Sequence, residues 1–198
     1  MGTRDRLLEV AAELFAAKGY DGTSIRDITT AAEANLGAIT YHFGSKEGLF
    51  EAVIEKKVEP LVAILAEAAS SSVSAKEKLS QVMRRMAMHI LHRDPALKML
   101  FVEAVHGGRR FPESTFKGLK RRNQVVGRII QDGIDAGEFR PCDVECATWM
   151  FFATVIPYVM HQNLMKPAHR EGPYPKRFVD HVVDTALMIF FEGLGART

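Results

Sequence analysis

Apolar residues recur three and four positions apart along most of the chain, and this spacing limits the folds open to it. In the first segment Leu7, Val10, Ala11 and Leu14 fall on one side of a helix, and comparable patterns follow as far as residue 193. Sustained alternation of apolar and polar residues and Asn-Gly turns, which would indicate β-hairpins, are lacking. We therefore expect an all-α fold of about nine helices.

The bulk composition restricts the class of protein further. The chain has 198 residues, 47% of them hydrophobic, which is enough for one ordinary domain or two small ones. No apolar run reaches the roughly 18 residues that a membrane helix needs, and the charged start lacks the apolar centre of a signal peptide. The sequence predicts a cytoplasmic protein with no membrane partner.

Chemistry-bearing residues are scattered rather than grouped. Cys142 and Cys146 provide neither a disulfide framework nor the four ligands of a zinc site. The chain shows no combination of nucleophile, base and oxyanion stabiliser, and no glycine-rich phosphate loop. We expect no metal, no cofactor and no enzymatic activity.

The segment from residue 24 to residue 50 contains short helices and tight turns. Ser24 and Asp27 have the spacing of a capping box, and Asn35 is expected to cap a helix over residues 36–43. Ser45 is expected to cap a long fourth helix. Two short helices joined by a tight turn, with the second one exposed, are typical of a DNA-binding helix-turn-helix.

The residues of this segment carry a family resemblance. The stretch TSIRDITTAAEANLGAITYHFGSKEGLF closely resembles the signature of TetR/AcrR-type transcriptional regulators, and the match covers about residues 3–55. The resemblance implies a helix-turn-helix DNA-binding domain over residues 1–48. It implies a helical ligand-binding and dimerisation domain over residues 49–198, with the helix from Ser45 shared. The implied function is a ligand-released repressor that binds a palindromic operator in double-stranded DNA as a homodimer.

The same resemblance assigns roles to individual positions. Arg26 matches a position that contacts a guanine edge, a base that arginine can bind through two hydrogen bonds. Leu36, Gly37 and Thr40 match groove-facing positions, whereas Tyr41, His42 and Lys46 match contacts to phosphate. The predicted DNA-binding residues are Ser24, Arg26, Asn35, Leu36, Gly37, Thr40, Tyr41, His42 and Lys46.

Some features depart from the family pattern. Glu33 stands where the family has its turn glycine, and Thr40 replaces the commonest aromatic residue. Residues 1–48 contain five basic and seven acidic side chains, so DNA binding there must depend on the placement of charges. Two alternatives stay open: a helical protein-interaction adaptor that has lost specific DNA binding, and an activator of the same family.

The remainder of the chain carries more apolar surface than one helical seam requires. We expect two copies to meet through the last helix and the apolar segment before it, and a small apolar or aromatic effector to bind inside. The predicted dimer interface is Ile156, Phe178, Val182, Val183, Leu187 and Phe190. The predicted ligand pocket is lined by Met83, Met86, Phe101, Phe116, Trp149, Phe152 and Met160.

Overall fold

The fold is helical throughout the part of the chain that the computed structural model describes, residues 2–93, 97–160 and 174–194. No β-strand occurs among these residues, which confirms the all-α prediction. The helices are α1 (Thr3–Lys18), α2 (Ile25–Ala31), α3 (Gly37–Phe43), α4 (Lys46–Ser70), α5 (Ala75–Ala87), α6 (Lys98–Val105), α7 (Glu113–Asp135), α8 (Val144–Ala153), α9 (Ile156–Met160) and α10 (Lys176–Leu194), with a π-helical turn over Met88–Arg93.

The chain divides into two compact units. The first unit comprises residues 1–59 and 96–116, and the second comprises residues 60–95 and 117–198. Of the three divisions along the chain, one falls at Glu59 and Pro60, inside α4, and another at Phe116 and Lys117, inside α7. The expected domain boundary after residue 48 stays a prediction.

The first unit is built around the contacts of α1, α2 and α3. Leu7, Ile28, Ile39 and Leu49 are fully buried there, and Met99 from α6 joins the same cluster. Burying a side chain of this size contributes roughly 1.5–3 kcal/mol. The short helices α2 and α3, too short to be stable alone, are therefore held by this core.

The second unit packs α5 against α10. Leu79 and Met83 of α5 are buried, as are Val183 and Leu187 of α10. Helix α7 contributes a buried stripe of its own. These helices provide the apolar interior in which the sequence predicts a ligand site.

One predicted helix is two in the structure. The uninterrupted apolar segment before residue 161 predicts a single helix, but in the structure α8 ends at Ala153 and α9 begins at Ile156. Pro157 accounts for the break, because it has no N–H to donate and its ring clashes with the carbonyl four residues earlier.

No helix in the described ranges combines the length and apolar character needed to cross a membrane.

Candidate nucleic-acid interface

Helix α2 is fixed at its start by two reciprocal hydrogen bonds. The Asp27 N–H donates to Ser24 Oγ at 3.0 Å, and the Ser24 N–H donates to Asp27 Oδ2 at 3.1 Å, so the predicted capping box is confirmed. The hydrogen bond from the Ser24 N–H lowers the pKa of the Asp27 carboxyl. Arg26 follows on the exposed side, and its guanidinium has no hydrogen-bond or ion-pair partner among the described residues. Its donors are therefore available to a base edge.

The turn between α2 and α3 has a left-handed residue at Glu33. Its φ is 49°, the one positive φ at a non-glycine residue in the described ranges. Arg6 compensates from α1, since its Nη2 donates to the Glu33 carbonyl at 3.2 Å and its Nη1 lies 3.7 Å from Glu33 Oε2. The turn thus keeps the backbone that a glycine would favour, with a side chain in glycine's place.

Replacing Glu33 with glycine should stabilise the protein. A left-handed backbone conformation costs an ordinary residue about 1–2 kcal/mol. The exposed ion pair between Glu33 and Arg6 offsets little of that cost. We expect Glu33→Gly to raise the free energy of unfolding by about 1 kcal/mol in urea denaturation. Glu33→Ala is the matched control: it removes the carboxylate, keeps the strain and should give no gain. An equal increase in the free energy of unfolding in both variants would show that the backbone at Glu33 is not strained.

Helix α3 presents an exposed apolar face. It begins at Gly37, one residue later than expected, and the predicted Asn35 cap is wrong: Leu36 occupies the N-cap position in helical geometry without a side-chain cap bond. Asn35 contributes its carbonyl instead, which accepts the Ala38 N–H at 3.1 Å. Leu36 is 59% exposed and Tyr41 is 85% exposed, whereas Ile39 is fully buried. Helix α3 is thus anchored on one side and uncovered on the other.

Gly37 has room for a side chain in the free protein. A Cβ there would meet only Asn35 Oδ1, at 3.5 Å, an ordinary contact distance. Gly37→Ala should therefore leave thermal stability unchanged or slightly raised, while weakening DNA binding if the backbone approaches a groove. Gly118→Ala in α7, where a Cβ meets nothing within 4 Å, is the control and should leave DNA affinity unchanged. Equal DNA affinity of Gly37→Ala and wild type would exclude close approach at this residue.

The predicted phosphate contacts lie around the start of α4. Ser45 caps this helix as predicted, because its Oγ accepts the Gly48 N–H at 3.0 Å. Lys46 is the first residue of α4, and its Nζ lies 4.1 Å from the centre of the Tyr20 ring. The rings of Tyr41 and His42 lie edge to face, with their centres 4.8 Å apart. A helix N-terminus beside a lysine suits a phosphate, since both carry positive charge.

Two basic residues that sequence reasoning missed support the same surface. The guanidinium of Arg4 lies 5.3 Å from the centre of the Phe43 ring, at the end of α3. Arg110, in the segment before α7, lies over the ring of Tyr20 at 4.4 Å, donates two hydrogen bonds to Asp21 at 3.1 and 3.2 Å and donates to Glu103 Oε2 at 3.3 Å. The position of Arg4 in the first turn of α1 could have indicated its place on this surface. Nothing in the sequence around Arg110 indicated the same for that residue.

The predicted ligand-pocket residues are divided between the units. Phe101 and Phe116 belong to the first unit, and Phe116 is exposed. Met83, Met86 and Phe152 are buried in the second unit, whereas Trp149 is 55% exposed there. The side chain of Met160 lies outside the described part of the structure. The pocket stays a prediction, with its buried members confined to the second unit.

The predicted dimer-interface residues also differ in exposure. Val182, Val183 and Leu187 are buried in the second unit's own interior, so they have no surface to offer a partner. Phe178 and Phe190 are partly buried, and Ile156 is exposed. The exposed large apolar side chains of α8, α9 and α10 are Trp149, Met150, Ile156, Met188 and Ile189. A cleft of about 630 Å³ lies beside them, between α8, α9 and α10.

The first unit defines a helix-turn-helix protein of the DNA-binding class. Three features identify this class: the capped helix α2, the tight turn at Glu33, and the exposed helix α3, which the buried Ile39 holds in place. The family model of "Bacterial regulatory proteins, tetR family" matches residues 7–53. Residues 7–53 are therefore similar to the DNA-binding segment of TetR-family transcriptional regulators.

Curated relatives extend the similarity beyond this segment. The probable HTH-type transcriptional regulator YttP of Bacillus subtilis is 28% identical over 141 residues, 70% of this chain and 68% of YttP. The HTH-type transcriptional repressor KstR2 of Mycolicibacterium smegmatis is 29% identical over 140 residues, again 70% and 68% of the two chains.

Solved structures share the whole fold. The ketosteroid transcriptional regulator KstR2 of Mycobacterium tuberculosis superposes with a TM-score of 0.79 at 24% identity, covering 99% of this chain and 96% of that one. AibR, solved in complex with isovaleryl coenzyme A and operator DNA, gives a TM-score of 0.76 at 18% identity over 96% and 98% of the two chains. At these identities the structures establish the fold.

Proposed function

We propose that this protein is a homodimeric repressor that binds a palindromic operator and is released from it by a small effector. The observation that carries the proposal is Arg26, exposed beside an uncovered α3 face and without a partner among the described residues. A guanidinium with free donors matches guanine O6 and N7, and Leu36 supplies apolar contact for a thymine methyl group. Lys46 and the start of α4 would hold the phosphates. The proposal includes no catalytic activity, and it places the protein in the cytoplasm with its operator.

Dimerisation is part of the proposal because one helix-turn-helix covers only half of a palindrome. The outward apolar side chains Met150, Ile156, Met188 and Ile189 are suited to a self-complementary contact between two copies. Two α3 helices related by a two-fold axis would enter major grooves one helical turn apart, about 34 Å.

Effector release would proceed by a shift between two conformations. An effector can displace that equilibrium only by binding one conformation more tightly than the other. Helix α4 connects Lys46 with residues of the second unit, and this motivates its assignment as the moving element. AibR, which shares this fold, was solved in complex with both isovaleryl coenzyme A and operator DNA.

Selection of bound sequences from a random DNA pool at fixed salt tests the proposal. We expect an enriched palindrome with its half-sites about one helical turn apart, and affinity for it that falls steeply as salt rises. Failure to enrich any sequence would instead favour the adaptor that has lost DNA recognition. A reporter gene behind the selected sequence separates repressor from activator, because an activator raises expression.

A further inference from the structure

A partly buried arginine lies on the inward side of helix α7. Val126, Ile129 and Ile130 form the buried stripe of this helix, and Arg122 lies one turn before Val126 on the same side. Its guanidinium lies 4.0 Å from the centre of the ring of Phe152, itself buried in α8. A positive charge thus stands where the helical pattern calls for an apolar side chain.

This charge has no counter-ion in the described structure. Nε and Nη2 of Arg122 both donate to Asn123 Oδ1, at 3.1 and 2.9 Å, and no described carboxylate forms an ion pair with the guanidinium. Burial lowers the pKa of Arg122 to about 10, which leaves the group protonated at neutral pH. Because an unpaired charge is costly in a protein interior, such groups are normally paired with an opposite charge.

The neighbouring residues show that the position is specific. Lys120 and Arg121, beside Arg122 in the sequence, are exposed to solvent, as is Arg128 one to two turns later. Arg122 alone among these four basic residues is partly buried and lies over an aromatic ring. Its role therefore differs from that of the basic residues that keep the surface of α7 solvated.

We infer that Arg122 supplies the counter-charge for an anionic group of the effector, whose apolar or aromatic body lies against Phe152. The inference rests on the proposed function, and it narrows the effector from an apolar compound to an amphiphilic anion. A planar guanidinium with unused N–H groups suits a carboxylate, sulfonate or phosphate oxygen.

The ring of Phe152 also connects Arg122 with the last helix. The rings of Phe152 and Phe151 lie edge to face, with their centres 5.3 Å apart. The centres of the Phe151 ring and the Phe190 ring of α10 lie 5.4 Å apart. An anion bound at Arg122 would therefore act on the packing between α8 and α10, the helices whose outward faces are proposed to meet in the dimer.

A matched pair of fluorescent probes tests the inference. Anilinonaphthalene sulfonate carries an anion, whereas N-phenylnaphthylamine has a similar aromatic body without the charge. We expect Arg122→Met to weaken binding of the sulfonate about 10- to 100-fold, the usual effect of losing a charge-assisted hydrogen bond, and to change binding of the neutral probe less than about twofold. Arg121→Met, which removes the same charge from the exposed face, should leave both affinities unchanged.

Several outcomes would overturn the inference. These are equal losses for both probes in Arg122→Met, no loss for either, or no binding of the sulfonate to wild type. Arg122→Lys provides a second variant should the methionine variant misfold, because it keeps the charge and should retain part of the preference for the sulfonate. Operator binding by wild type is measured separately, so failure to bind DNA would reject the proposed function and leave the comparison of probes valid.

Discussion

Arg26→Met is expected to abolish the preference of the protein for its selected operator. A bidentate arginine–guanine contact contributes about 1–3 kcal/mol of discrimination, and a palindrome contains two copies, so the loss should be about 2–6 kcal/mol. Fluorescence anisotropy with the selected sequence and a scrambled one, at the same salt concentration, measures this difference. Folding should be unaffected, because the Arg26 side chain is exposed and has no described partner to lose.

Arg26→Lys distinguishes base contact from charge. Lysine keeps the positive charge but lacks the planar pair of donors, so this variant should lose sequence preference while keeping the slope of affinity against salt. A variant that retained full discrimination would show that Arg26 does not contact a base. The predicted role of α2 in specificity would then have to be abandoned.

Arg110→Met should produce the largest loss of stability. Glu103 is 5% exposed, and its carboxylate accepts the Arg110 backbone N–H at 3.0 Å as well as the guanidinium at 3.3 Å. Removing the guanidinium leaves a buried carboxylate with one remaining donor and also breaks the pair with Asp21. We expect the free energy of unfolding to fall by about 2–4 kcal/mol, measured by urea denaturation.

Two further variants identify the cause. Arg109→Met removes the same charge from an exposed neighbour and should change stability by less than about 0.5 kcal/mol. Adding Glu103→Gln to Arg110→Met should recover much of the lost stability, because the amide is far less costly to bury than a carboxylate. If the double variant is no more stable than Arg110→Met, the unpaired charge is not what destabilises it.

The sequence predicted those parts of the site that depend on local spacing. The capping box joins Ser24 and Asp27, three residues apart, and the Ser45 cap spans the same distance to Gly48, so both bonds follow from the backbone geometry of a helix start. Asn35 shows the limit of this reasoning. A suitable side chain cannot cap a helix when the next residue, Leu36, already has helical geometry and occupies the N-cap position.

Contacts between distant residues were beyond prediction. Arg110 binds Asp21 across 89 positions, and the loop sequence around it gives no sign of that partner. The apolar residues of α10 are evident in the sequence. The sequence does not show that α10 packs against α5 with Val183 and Leu187 buried and Met188 and Ile189 exposed. The four-residue spacing from Arg122 to Val126 places both residues on one side of α7. The adjacent Lys120 and Arg121, however, made the segment resemble a solvent-exposed helix face.

The central claim is that two copies of the chain bind a palindrome, each through its own Arg26 and α3. The most direct test compares affinity for the selected palindrome with affinity for the same DNA carrying one scrambled half-site, at fixed salt. The account predicts a loss of about 100-fold or more, since a specific half-contact is replaced by a non-specific one. Equal affinity for the two DNAs would contradict it.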